Sequence, residues 1–86
     1  MWVIQLTLYP TPERLAARPA HRHRLALLHE QGIVRMAGPF DDDSGALIIL
    51  DVDTRQDVEN LMSKDPYFAT PGVKIASVSC WRPFIT

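Results

Sequence analysis

Apolar and polar residues alternate from the second position of the chain. Trp2, Ile4, Leu6 and Leu8 fall on one side, and Val3, Gln5 and Thr7 on the other. A period of two predicts a strand, which Tyr9-Pro10 ends. The next stretch has two readings. Thr11-Pro12-Glu13 suits a helical turn, but Pro19 would interrupt any helix running through it. Pro19 is therefore placed in the first turn of a helix that continues to Gln31 and stops at Gly32. On that helix Ala20, Arg24, Leu25, Leu27 and Leu28 share a side, with His21 at its edge in line with Leu25 and Leu28.

Ile33 to Ala37 predicts a second strand, closed by Gly38-Pro39. The polar turn Phe40-Asp41-Asp42-Asp43-Ser44-Gly45 joins it as a hairpin to a third strand, Ala46 to Val52. Thr54 and Asp57 resemble a capping box, with Asp in the Glu/Gln place, opening a second helix with the stripe Val58, Leu61 and Met62. Asp65-Pro66 ends that helix, because proline pushes the residue before it out of the helical region. Val73 to Trp81 predicts the last strand.

Residues 1–86 thus read as a single domain in the order strand, helix, strand, strand, helix, strand. With right-handed crossovers this is an α+β, ferredoxin-like βαββαβ sandwich: a four-stranded antiparallel sheet with both helices on one face. The third strand, however, is apolar on both sides (Ala46-Leu47-Ile48-Ile49-Leu50), which a half-solvated strand should not be. A second copy packed sheet to sheet is the expected cover. The same topology gathers Arg18, His21, Asp41 to Asp43, Asp65 and Tyr67 at one end of the molecule.

Composition narrows the function. Hydrophobic residues make up 47% and charged residues 22%, as in ordinary folded chains, and 86 residues build only a small interior, a further reason to expect a homodimer. A formal net charge of −1 leaves no cationic excess for nucleic acid or an anionic membrane. No apolar run approaches the roughly 18 residues that span a bilayer. No signal-peptide pattern is visible, so the expected location is cytoplasmic. Cys80 is alone and builds neither an intramolecular disulfide nor a thiolate cluster. His23 and His29 are expected to face solvent with no carboxylate at ligand spacing, so neither a metal nor another cofactor is expected.

His21 and Asp65 carry the candidate chemistry. In the first turn of a helix the dipole disfavours an imidazolium, leaving a neutral ring that can accept a proton. Asp65, at the end of the antiparallel helix, gains from a partner and would fix the ring's tautomer. The bland alternatives are a histidine bonded to a backbone carbonyl and an aspartate that merely breaks a helix. Arg18 is placed to steer an anion, although the 41–43 turn offsets the Arg18, Arg22 and Arg24 patch. Ser44 lacks the strand-to-helix elbow of a nucleophile. Cys80, Trp2, Phe68, Trp81 and Phe84 read as packing or interface residues.

Several segments together resemble the YciI-like (YCII-related) family of the dimeric α+β barrel group. They are Arg18-Pro19-Ala20-His21, Leu28-His29-Glu30-Gln31-Gly32, Ala37-Gly38-Pro39, Gly45, Asp65-Pro66-Tyr67 and Trp81-Arg82-Pro83-Phe84. The resemblance implies a ferredoxin-like protomer, a homodimer and a His–Asp active-site pair at His21 and Asp65. It supplies no single reaction: one branch looks like dehydrochlorinases of chlorinated hydroxyquinols, and the fold is similar to that of muconolactone isomerases. The compact 40–44 turn departs from many relatives and leaves the substrate open.

Two functional readings follow. In the first the protein is a cofactor-independent acid–base enzyme, of isomerase or lyase (dehydrochlorinase) type, acting on a small cyclic or aromatic metabolite. His21 moves the proton, Asp65 orients the ring, and Arg18, Gly38, Pro39 and Tyr67 bind substrate, with backbone near Gly38 holding a developing oxyanion. In the second it is a non-catalytic small-molecule-binding or accessory module with the same pocket. A closed His21–Asp65 contact lining an apolar pocket favours the first; an exposed His21 without a carboxylate favours the second.

Overall fold

The computed structural model describes Met1–Thr86. Its elements are β1 (Trp2–Leu8), α1 (Pro12–Glu30), β2 (Val34–Pro39), β3 (Gly45–Leu50), α2 (Arg55–Ser63), a 3-10 turn (Pro66–Ala69) and β4 (Val73–Cys80). The sheet order is β2-β3-β1-β4, with every neighbouring pair antiparallel. This is the ferredoxin-like α+β arrangement that the order of elements predicts. Alternation along β1 places Ile4, Leu6 and Leu8 in the core with Val34, Ile48, Leu50 and, from α2, Val58. No helix is long and apolar enough to cross a membrane.

The largest departure from expectation is α1. It is one helix from Pro12 to Glu30 with Pro19 inside it, not a helix that begins at Pro19. The helix starts early because Thr11 caps it: its hydroxyl accepts from the Arg14 N–H at 3.2 Å and donates to the Pro71 carbonyl at 2.6 Å. Pro12 then occupies the first turn, where no donor is needed. Pro19 removes the donor for the Leu15 carbonyl, but both residues are exposed, so solvent can supply the missing donor. What outweighs the proline is the stripe of buried Arg14 and His21 with half-buried Arg18, Leu25 and Leu28, spaced four, three, four and three residues apart, which only a continuous helix presents on one side. Ala20, Arg24 and Leu27, expected on the inner side, are exposed.

The second helix opens as predicted. Thr54 and Asp57 exchange both capping-box bonds, each 3.1 Å. It closes earlier than predicted, at Ser63 with Lys64 as cap, and Asp65 stands beyond it as the cap of the 3-10 turn. β4 is offset from β1 between Gln5 and Leu6, which breaks its alternation. At the hairpin, Gly45 is required because a side chain there would meet the Leu6 carbonyl and the Phe40 ring.

Candidate active site

Four residues from two segments meet on the inner side of α1. His21 and Asp65 are 7% and 4% exposed, and His21 Nδ1 lies 2.7 Å from Asp65 Oδ2. A carboxylate only accepts, so Nδ1 carries the proton and Nε2 keeps its lone pair. The other carboxylate oxygen, Oδ1, accepts from the Tyr67 N–H at 3.0 Å and so caps the 3-10 turn. That turn presents the Tyr67 ring flat against the imidazole, with centroids 3.9 Å apart and planes 12° apart. Phe68 meets the imidazole edge-on at 5.5 Å.

His21 sits well inside α1, so the helix-end dipole is not what keeps its ring neutral. Burial is: it holds the imidazolium pKa below its ordinary value, against the pull of Asp65 and with help from the Arg22 and Arg24 charges.

Arg14 is 1% exposed, a cation enclosed by acceptors. Its Nε donates to the Tyr9 carbonyl at 2.7 Å, Nη2 to Asp43 Oδ2 at 2.9 Å and Nη1 to the Tyr67 hydroxyl at 3.5 Å. The bonds to Tyr67 and Asp43 raise its pKa against the effect of burial. In return Arg14 holds the Asp43 carboxyl below the usual range. Asp43 reaches inward from a positive φ of 59°, a conformation that Asp tolerates in turns.

Above these groups lies a cavity of about 750 Å³ between α1 and the β2–β3 side of the sheet, within the span typical of small-molecule sites. Arg18, His21, Gly38, Pro39 and Tyr67 all line it. Asp65 stands behind His21 and touches the cavity only through the imidazole. Arg18 is half-buried and lies 3.9 Å from Asp43, so the acidic turn does offset the basic patch. Gly38 contributes wall rather than a free amide. Phe40 donates to the Gly45 carbonyl at 2.8 Å, and ladder alternation makes Gly38–Leu47 the next hydrogen-bonded pair.

Two contributors escaped the sequence reading. Arg14 was hidden by the break placed at Pro19, although it lies seven residues before His21 and shares its side of a helix. His29 does not simply face solvent: its Nδ1 donates to the Val34 carbonyl at 2.8 Å, tying the end of α1 to the first residue of β2. No three His, Cys, Asp or Glu side chains converge as a metal-ligand group.

Residues 2–82 match the YCII-related domain. Protein YciI of Escherichia coli O6:H1 (strain CFT073) and Protein YciI of Shigella flexneri are each 33% identical over 82 residues, covering 84% of this chain and 81% of theirs. A solved structure with the same fold is 5-chloro-2-hydroxyhydroquinone dehydrochlorinase from Burkholderia phenoliruptrix AC1100, in complex with 2,5-dihydroxybenzoquinone. Its TM-score is 0.60 at 16% identity, covering 95% of this chain and 94% of that one.

The lowered His21 pKa sets a pH dependence of stability. Unfolded histidine titrates near about 6.5 and the buried ring lower, so between those values the unfolded chain holds more protons. This contribution to stability is complete above the unfolded value and falls as pH falls through the window. Urea unfolding between about pH 7.5 and 5.5 is expected to show that decline, and His21→Gln to reduce it. An unchanged slope in the variant contradicts the assignment.

Proposed function

The chain belongs to the YCII-related family, and from that premise we propose that it is a cofactor-independent acid–base enzyme of isomerase or lyase type. Its substrate is a small cyclic or aromatic compound. The observation that carries this reading is the 2.7 Å contact between His21 Nδ1 and Asp65 Oδ2, which leaves Nε2 as the ring's only basic atom. In the reaction, Nε2 takes a proton from an atom next to a ring carbonyl, and the released electron pair moves onto the carbonyl oxygen. Return of the pair with reprotonation at another carbon is isomerisation. Return with departure of an anion such as chloride is elimination, and His21 then passes its proton to water.

Arg18, at the half-buried edge of the cavity, draws in an ionised substrate, while Gly38, Pro39 and Tyr67 shape the space for its ring. The dehydrochlorinase that shares this fold, solved with an oxygenated ring compound, supports a substrate of that shape. A lone free cysteine suits a reducing cytoplasm.

The test is turnover of chlorinated hydroxyquinols and unsaturated lactones, followed as chloride release or isomer formation. The native protein is expected to turn over at least one compound, and His21→Ala none while keeping its circular dichroism. Asp65→Asn is expected to lose at least about a hundredfold, because a carboxamide NH₂ facing Nδ1 drives the proton to Nε2. Undiminished turnover by His21→Ala overturns the proposal. Binding of the compounds by the native protein without any turnover assigns the binding-module reading instead.

The protein acts as a homodimer in this proposal, paired sheet to sheet. On the face of the sheet away from the helices, Met36, Ile49 and Val3 form a continuous cross-strand row, and Leu47 adds to it. Met36 is 67% exposed in the single chain. Covering that row should bury on the order of 1,000 Å² or more in total. Sedimentation equilibrium at micromolar concentration is expected to give twice the chain mass, and Met36→Glu to shift it toward one. A monomeric native protein contradicts the arrangement.

A further inference from the structure

Tyr67 has more chemistry than a cavity wall needs. It is 4% exposed, its N–H is held by Asp65, and its ring is clamped against His21, so backbone and ring together fix the position of its hydroxyl. That hydroxyl accepts from Arg14 Nη1 at 3.5 Å and donates to no group of the protein. A phenolic hydrogen on a cavity wall without an acceptor is a donor available to a ligand. Arg14 sharpens it: an O–H whose oxygen accepts from a cation is the stronger donor. The guanidinium is fully buried, whereas its counter-ion Asp43 has a side chain 44% exposed. Arg14, paired with Asp43, is thus the buried cation at the inner end of the cavity. The nearby backbone offers no rival donor, since the Gly38 amide is committed to the sheet and Pro39 has none.

We propose that the Tyr67 hydroxyl, seated on Arg14, is the donor that holds the oxygen on which charge develops. The cavity then takes a planar ring bearing a carbonyl or phenolic oxygen, with that oxygen at Tyr67 and the acidic hydrogen at His21. This rests on the acid–base reading above and assigns the two ends of the substrate. The two stacked rings both line the cavity, which brings the hydroxyl and the imidazole within reach of one ligand. When the substrate's proton passes to His21 Nε2 and the electron pair reaches the oxygen, the new oxyanion accepts from the Tyr67 O–H. Tyr67 keeps its proton throughout. Arg14 does not touch the ligand; it is a positioning residue that acts through Tyr67.

The oxyanion site is tested without turnover, so its failure is distinguishable from that of the dyad. The probe is 4-nitrophenolate, titrated at a pH where it is fully ionised, with affinity and the absorption band of the bound probe as readouts. The native protein is expected to bind it and to shift its band toward that of hydrogen-bonded phenol. Tyr67→Phe, which keeps the stacking ring, is expected to bind about ten- to a hundredfold more weakly and to lose the shift. The uncharged ring 4-nitroanisole should bind both proteins alike. Arg14→Lys, which keeps the charge, should retain part of the shift that Arg14→Met loses. Equal affinity and equal spectra for the native protein and Tyr67→Phe overturn the proposal. So does a native protein that does not bind the probe, or one that binds it without a spectral shift.

Discussion

A carboxylate withdrawn from water must find donors for its oxygens, and Asp65 finds two on opposite sides. One oxygen takes the imidazole Nδ1–H at 2.7 Å and the other takes the Tyr67 N–H at 3.0 Å. The first bond fixes the histidine tautomer. The second starts the 3-10 turn that swings Tyr67 over the same imidazole. One buried side chain thus sets the protonation, the orientation and the stacking partner of His21. Pro66 contributes by keeping Asp65 extended, out of α2 and able to cap.

Around that carboxylate the fold supplies enclosure. The apolar core of β1, β2 and β3 continues through Tyr67 and Phe68 to the polar end, where Arg14, His21 and Asp65 are buried beside them. Arg14 is tolerated there because Tyr9, Asp43 and Tyr67 all accept from it, leaving its charge unwatered yet not unpaired. A helix broken at Pro19 would hold Arg14 and His21 on separate pieces. Its continuity lets the 41–44 turn, the 3-10 turn and the sheet close on one stripe.

Much of this was legible in the chain. Strict alternation along β1 and the Thr54–Asp57 cap helped set the order of elements. Right-handed crossovers turned that order into the sheet, and that topology placed His21 near Asp65. The double-sided strand at 46–50 pointed instead to a second copy. Two local rules misled. Proline as a helix breaker outweighed the Thr11-Pro12 start, although an exposed proline costs a long amphipathic helix less than a buried one. His21 was consequently put under a helix dipole, whereas burial depresses its pKa. The role of Arg14 was not legible from one sequence, because a buried arginine is recognised by its acceptors, and those come from Tyr9, Asp43 and Tyr67, far apart along the chain.

The tautomer of His21 is the quantity on which the account turns. Nitrogen-15 NMR of the imidazole in the native protein at neutral pH measures it directly. The account predicts a proton-bearing Nδ1 and a Nε2 with the chemical shift of an unprotonated, lone-pair nitrogen. A proton on Nε2, or a ring protonated at both nitrogens, would contradict it.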